Sequence, residues 1–366
     1  MTTASGLRAA AVTARVGRWL GVAIAVCFVT GLLSHFIQHP QPWFLWPTRP
    51  VGLYRITQGL HVISGIAAIP LTIVKLWSVW PKLFQRPIIG SLVRQLERLS
   101  ILVLVGSMLF MLSTGLLNIA QWYAFRFFFT TAHYAMAYIA AGALLVHIGV
   151  KLPVIRRALG EPVDDYAPEG MTRRTVLRGT WLAVAAATVA TAGQTIPLLR
   201  RVSVLAPRSG QGPQGVPVNR SAIAAGVLRT ARSPKYRLTV TNGDVTRAFS
   251  LADLRAMPQA THRLPIACVE GWSIDAEWTG VVLADLLATV GGAPHSDVRM
   301  ISLEPPGPYS RTVLPARHAR DRKTLVALQL NGEDLHIDHG FPCRLIAPTR
   351  PGVLQTKWLS RIEVVP

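Results

Sequence analysis

Five apolar runs, at roughly 16–37, 53–79, 97–119, 128–150 and 178–199, fill most of the first half of this 366-residue chain. At about 1.5 Å of rise per helical residue, each is long enough to cross a hydrocarbon layer about 30 Å thick. We read all five as membrane-spanning helices. Positive residues then set their direction: Arg8, Arg15 and Arg18 precede the first run, Lys82, Arg86, Arg94 and Arg98 separate the second from the third, and Lys151, Arg156, Arg157, Arg173, Arg174 and Arg178 separate the fourth from the fifth. Those three segments are expected in the cytoplasm. The opposite segments carry Trp43, Phe44 and Trp46, or Trp122, Tyr123, Phe125, Phe127, Phe128 and Phe129, which suits an interfacial aromatic belt. Five spans put the carboxyl-terminal part on the extracytoplasmic side of the cytoplasmic membrane.

The segment Met171-Thr172-Arg173-Arg174-Thr175-Val176-Leu177-Arg178, followed by the apolar run Trp181 to Leu199, has the form of a twin-arginine export signal placed inside the chain. Such a signal implies an export machinery as partner and a following domain that folds around a cofactor before translocation. Two arginines anchoring an ordinary membrane helix are the plainer reading, and both give the same topology. Half of the residues are hydrophobic and the net charge is +20. The arginines flank apolar runs, and no helix-turn-helix, zinc-finger or RNA-binding signature accompanies them, so the basic excess speaks for the bilayer and against nucleic acid.

Between Arg200 and Val218 the composition turns to Pro, Gly, Gln and Ser, with Pro207, Gly210, Gly212, Pro213, Gly215 and Pro217, as in a linker. Beyond it, Tyr236–Val240 and Arg344–Ala347 read as strands, and Ser250–Met257 and Leu283–Val290 as short helices, without regular βαβ alternation. The expected fold is multi-domain: an all-α transmembrane bundle of four helices over 1–160, a cytoplasmic loop and fifth anchoring helix over 161–201, a linker over 202–217, and an α+β domain over 218–366.

His133 and His147 lie fourteen residues apart on the fourth span, a rise of about 21 Å, so they face one side at two depths. The second span repeats the offset with His61 and Lys75. His61 and His133 are expected at similar depth, where two imidazoles can supply both axial positions of one b-type haem. Hydrogen bonding to neighbouring helices is the bland alternative, although ionisable groups within a membrane are costly and usually functional. Lys75 is a poor haem ligand that reads better as a snorkelling side chain, which leaves His147 without a partner and the expectation at one haem. His35 and His39 suit a quinone site or plain interfacial solvation. Over about 15–155 the pattern resembles the four-helix cytochrome b subunits of hydrogenase and formate dehydrogenase type.

Three cysteines give neither a disulfide framework nor a paired-cysteine zinc site. Cys268 stands in Leu264-Pro265-Ile266-Ala267-Cys268-Val269-Glu270-Gly271-Trp272-Ser273, followed by Trp278-Thr279-Gly280 and Leu283-Ala284-Asp285-Leu286-Leu287. The closing segment reads His339-Gly340-Phe341-Pro342-Cys343-Arg344, then Lys357-Trp358. Over roughly 216–366 these motifs resemble the sulfite oxidase family of molybdopterin enzymes. A single soft thiolate is what a molybdenum atom needs when the cofactor's dithiolene already supplies two sulfurs.

The resemblance implies Cys268 as the molybdenum ligand and His339, Arg344 and Lys357 as holders of the pterin and its phosphate. Gln355 stands where the family often has Ser, and Asn219 falls in the family's first cofactor loop. Tyr309, Ser310 and Arg311 fall in a later loop that approaches the metal, with Arg311 a candidate for substrate contact. Arg263 is a second candidate cation for sulfite, and Cys343 reads as core. The expected protein is a monomeric, membrane-anchored oxidoreductase acting on a small S- or N-oxide type substrate and exchanging electrons with quinone or quinol through the haem. A sulfite dehydrogenase of the same family, or a membrane protein that keeps the fold without the metal, are the alternatives. The family's immunoglobulin-like dimerisation domain is not expected after Val365.

Overall fold

A computed structural model describes residues 7–84, 91–163, 171–193, 195–206, 212–292 and 295–365. Arg86, Pro207 and Gly210, used above for orientation and for the linker, lie outside the described residues. Two compact units emerge: 1–35 with 59–207, and 36–58 with 208–366.

The first unit is helical. Its long helices are α1 (Ala10–Gln38), α2 (Leu53–Leu83), α3 (Leu92–Ile119), α4 (Phe129–Gly160) and α5 (Arg173–Ala192), and all five are long and apolar enough to span a bilayer. Large apolar side chains such as Leu102, Leu145 and Leu182 stand about 70% exposed on them (68%, 71% and 71%), an arrangement that water would penalise and lipid would not. An apolar cluster of Val12, Val16, Leu71 and Val184 joins α1, α2 and α5, and polar contacts add to it at the helix ends. Arg15 of α1 donates to the carbonyls of Ala158, Leu159 and Glu161 at the end of α4, placing a cation at a helix C-terminus, and Lys151 of α4 pairs with Glu97 of α3. The fifth helix stops earlier than its apolar run. It ends at Ala192, and the chain turns back so that Ser203 Oγ accepts from the Gly193 amide (2.7 Å) and the Leu205 amide donates to Ala190 (2.8 Å).

The second unit is α+β. Its strands are β1 (Leu238–Asn242), β2 (Val245–Phe249), β3 (Gln259–Ala267), β4 (Ser273–Val282), β5 (Val298–Ser302), β6 (Arg311–Leu314), β7 (Leu325–Leu330), β8 (Glu333–Asp334), β9 (Arg344–Ile346) and β10 (Leu359–Val364). One sheet runs β2-β1-β10-β5-β6, and the other runs β3-β4-β7-β8 with β9 also on β7. Only β1 and β10 pair in parallel among the described ladders. Short helices cover Leu251–Ala256 and Leu283–Ala288, the first closed by a capping box between Ser250 and Asp253. The main core gathers Leu238, Val240, Leu283, Leu286, Met300, Val326, Leu345 and Ile362 from both sheets. A second cluster, around Leu264, Ile266, Trp272, Trp278 and Leu330, contains Cys268 itself.

The stretch after Gly212 is no free linker. Val216 is buried in the Cys268 cluster, and Gln214 donates to Leu330 O (3.1 Å) and Asp334 O (3.0 Å) while accepting from the His336 amide (2.9 Å). Its Pro and Gly residues fit a tight extended path over the domain, with Gly215 at φ +73°.

Candidate active site

Cys268 follows the last residue of β3 and opens the turn into β4. Its amide donates to Trp272 O (2.9 Å) and its carbonyl accepts from Gly271 (3.0 Å), a closure that Gly271 permits at φ +96°. The thiol is 5% exposed, and its sulfur accepts from Asn219 Nδ2 at 2.9 Å. Trp272 Nε1 donates to Asn219 Oδ1 and to Glu270 Oε2, both at 3.2 Å. Burial, and after it the Glu270 carboxylate, push the Cys268 thiol well above its ordinary range. Without a cation this is a neutral thiol, and a bound metal ion is the agent that deprotonates such a ligand.

Arg220, next to Asn219, pairs with Glu304 at 2.8 Å and lies over the Tyr309 ring at 6.0 Å. Tyr309 is 41% exposed. Burial raises its phenol first, the Arg220 charge opposes that, and the charges of Cys268, Glu270 and Glu304 add to it, so this ring lies within electrostatic reach of the turn. Ser310 is occupied in its own turn, accepting from the Gly307 amide (3.0 Å) and donating to its carbonyl (2.9 Å). Arg311 and Arg263 are exposed residues of β6 and β3, and no described contact joins either to Cys268.

A second group brings together Arg344, Lys357 and His339. Arg344, 2% exposed, donates to His339 O (3.0 Å) and Gln355 O (3.1 Å) and lies 5.1 Å over Trp278. Lys357 donates to Arg220 O (2.5 Å) and Asp338 O (2.9 Å). His339 reaches Pro213 O with Nε2 at 2.8 Å. Burial lowers all three, to about 9 for Arg344, about 7 for Lys357 and about 4 for His339. Gly340, at φ +110°, sits between the two cations: a Cβ there would lie 3.0 Å from Arg344 Cβ and 3.2 Å from Lys357 Cβ.

Among the described residues no carboxylate forms an ion pair with Arg344 or Lys357, whose partners are backbone carbonyls. The buried Arg344 and the half-buried Lys357 thus have no paired anion, although the Glu304 and Asp338 carboxylates act on Lys357 from further off, and a phosphate with several acceptor oxygens would supply one. The donor set fits a phosphorylated pterin whose metal is held at Cys268. Gln355 does otherwise than expected. Its side chain bonds both backbone groups of Ala347 (2.8 Å each) and Arg350 O (3.2 Å), and its own amide donates to Gly352 O (3.1 Å). It pins the 347–355 loop. Cys343 is core, bonded by the Tyr236 hydroxyl at 3.1 Å.

In the helical unit the rings of His61 and His133 face each other with centroids 6.5 Å apart. His61 Nδ1 lies 2.9 Å from Cys27 O, and His133 Nδ1 lies 3.0 Å from Thr114 Oγ1. Each ring is thus held through one nitrogen, the usual arrangement when the other is a metal ligand. Two imidazoles sharing one metal through ~2 Å bonds have centres about 6 Å apart, which the pair fits. Lys75 donates to Thr13 O at 3.0 Å, and His35 stacks on Tyr134 at 3.6 Å.

Residues 225–366 match the family profile of the oxidoreductase molybdopterin binding domain. Human mitochondrial sulfite oxidase is 30% identical over 159 residues, covering 36% of this chain and 29% of that protein. The Arabidopsis thaliana sulfite oxidase is 29% identical over 154 residues, covering 32% of this chain and 39% of the relative. An Azospira oryzae protein named as a methionine-sulfoxide reductase subunit, YedZ1, is 30% identical over 139 residues, covering 37% of this chain and 52% of its own length. The chain therefore spans about half or less of these relatives. A sulfane dehydrogenase structure from Paracoccus pantotrophus aligns at 25% identity over 36% of this chain and 38% of that one, with a TM-score of 0.33. The carboxyl-terminal part of the chain thus matches an oxidoreductase molybdopterin binding domain, and the residues assembled above form its candidate site.

Proposed function

We propose that this chain is a membrane-anchored, molybdopterin-dependent oxidoreductase, with its carboxyl-terminal domain on the extracytoplasmic side and one b-type haem between His61 and His133. The haem would exchange electrons with the quinone pool, and the molybdenum site would act on a small S- or N-oxide. The observation that carries the first part is the Cys268 thiol on a closed turn, in the same domain as two cations, Arg344 and Lys357, that bond backbone carbonyls and form no ion pair among the described residues. The bound cofactor supplies two-electron oxygen-atom chemistry.

The protein's own residues do the rest. Cys268 offers the soft ligand, and Asn219 donates to its sulfur and so stabilises the thiolate. Arg344 and Lys357 hold the phosphate, with Gly340 letting both approach. Glu270, 6% exposed and bonded by Trp272, can hold or release a proton at its carboxylate beside the metal ligand. In the bundle, the Cys27 carbonyl and the Thr114 hydroxyl fix the two imidazoles.

The test is full-length protein purified in detergent from molybdate- and haem-sufficient cells. Molybdenum near one atom per chain, a b-type absorption band on reduction, and quinol-dependent reduction of a sulfoxide or N-oxide are expected. Protein without molybdenum refutes the reading. Sulfite-dependent quinone reduction in its place identifies the sulfite dehydrogenase alternative.

A further inference from the structure

The segment between α1 and α2 packs as part of the molybdopterin domain's own unit. Tyr54, 1% exposed, shares an apolar cluster with Ile37, Ala267 and Leu354, supported by Phe44 and Trp46, and Val51 packs against the cluster that holds Cys268. Trp46 donates to Thr349 O (2.9 Å), and Thr349 returns a bond to Pro47 O (2.7 Å). Arg49 grips Asp321 with both terminal nitrogens (2.7 and 2.9 Å), and Arg55 pairs with Asp275 of β4 at 2.8 Å. At its far end Gln58, 5% exposed, donates Nε2 to the carbonyl of Val269, the residue after Cys268, at 2.7 Å.

We infer that residues 36–58 are a working part of the molybdenum site and that Gln58 is a positioning residue for the cysteine that holds the metal. The Cys268 turn closes on itself through two backbone bonds to Trp272 and Gly271. The Val269 carbonyl is fixed from outside by Gln58. A half-buried carbonyl that loses its donor is left to find another or to turn, and turning that peptide shifts the turn that carries the sulfur. The same segment holds Thr349, in the loop that Gln355 pins between Arg344 and Lys357. One stretch of chain that enters α2, which carries His61 three residues beyond Gln58, thus braces the cysteine turn and the loop between the two cations.

This inference rests on the proposed molybdenum role of Cys268, so its test has one arm with the metal and one without. In the full-length chain, Gln58→Met keeps the shape and removes the donor, and Arg299→Ala breaks an exposed ion pair with Glu363 outside the segment as a control. In metal-loaded protein, Gln58→Met should shift the g-values of the Mo(V) resonance and lower kcat about tenfold, with the haem spectrum unchanged, whereas Arg299→Ala should do neither. In cofactor-free protein, alkylation read by mass spectrometry should run at least about fivefold faster at Cys268 in Gln58→Met, with Cys343 unchanged. Wild-type rates at Cys268 would overturn the inference, as would equal acceleration at both cysteines, which marks general loosening. Absence of molybdenum from the wild-type protein removes the proposed function alone, since the alkylation arm still decides the role of Gln58.

Discussion

Asn219 donates to the sulfur of Cys268 across 2.9 Å while its carbonyl oxygen accepts from Trp272 at 3.2 Å. The indole thereby fixes which end of the amide faces the sulfur. Asn219→Ala should leave the domain folded and lower molybdenum-dependent turnover by roughly 10–100-fold, the usual effect of losing an outer-shell partner of a metal ligand. Asn219→Asp should be worse, because a carboxylate there faces a thiolate. Metal content and kcat measured on both variants decide it, and an Asp variant as active as wild type would refute the assigned orientation.

Lys357 has a definite pH signature. Burial, then the neighbouring Arg344, lowers its ammonium from 10.5 to about 7 in the cofactor-free fold. Between those values the unfolded chain binds the extra proton, so the stability of the empty domain rises with pH across this window, and below about 7 the full penalty of a buried charge applies. A bound phosphate reverses the preference by stabilising the protonated amine. The unfolding midpoint of cofactor-free protein should climb from pH 7 to 8.5, and Lys357→Met should flatten that climb. Loaded protein should hold its cofactor less well as pH rises through the same interval. A wild-type slope equal to that of Lys357→Met would show that the amine stays protonated.

What could be read from sequence was what local chemistry dictates. Five apolar runs gave five helices, because a span's length and composition are properties of the run itself. Cys268, Arg344 and Lys357 stood in short motifs that could be picked out without knowing the fold. The fifth helix ends at Ala192 and not at Leu199, because the turn after Gly193 is closed by Ser203, ten residues further on. Gln355 lies in the motif yet braces a loop, since side-chain direction depends on partners elsewhere in the chain. Least legible was the 36–58 segment, whose partners lie more than two hundred residues away: Gln58 and Val269 are 211 apart.

The twin-arginine reading separates from simple anchoring by one substitution pair. Arg173 and Arg174 open α5, and Thr172 caps it by accepting from the Thr175 amide at 3.0 Å. Replacing both with lysine keeps the cap and the positive charge, so an anchor that obeys the positive-inside rule is unaffected. A receptor that reads the arginine pair is not satisfied, and the carboxyl-terminal domain should stay inside the cell. Protease accessibility of that domain in spheroplasts measures the outcome, and unchanged export would leave only the anchoring role.

The haem proposal makes a prediction at glycines as well as at the histidines. A Cβ on Gly31 would lie 3.2 Å from His61 Cε1 and 3.5 Å from its Nδ1, whereas a Cβ on Gly115 would meet His133 Cε1 at an ordinary 4.0 Å. Gly31 therefore makes room for the His61 ring in the position where Nδ1 bonds Cys27 O, and a side chain that extends well beyond Cβ meets the ring there. Gly31→Leu should remove the b-type absorption band as fully as His61→Ala does, while Gly115→Ala should keep it, with all three proteins purifying in similar yield. The reduced-minus-oxidised spectrum of each variant is the measurement. A full band in Gly31→Leu or in His61→Ala would mean that the iron is held elsewhere, and the ring pair at 6.5 Å would then be a packing contact between α2 and α4.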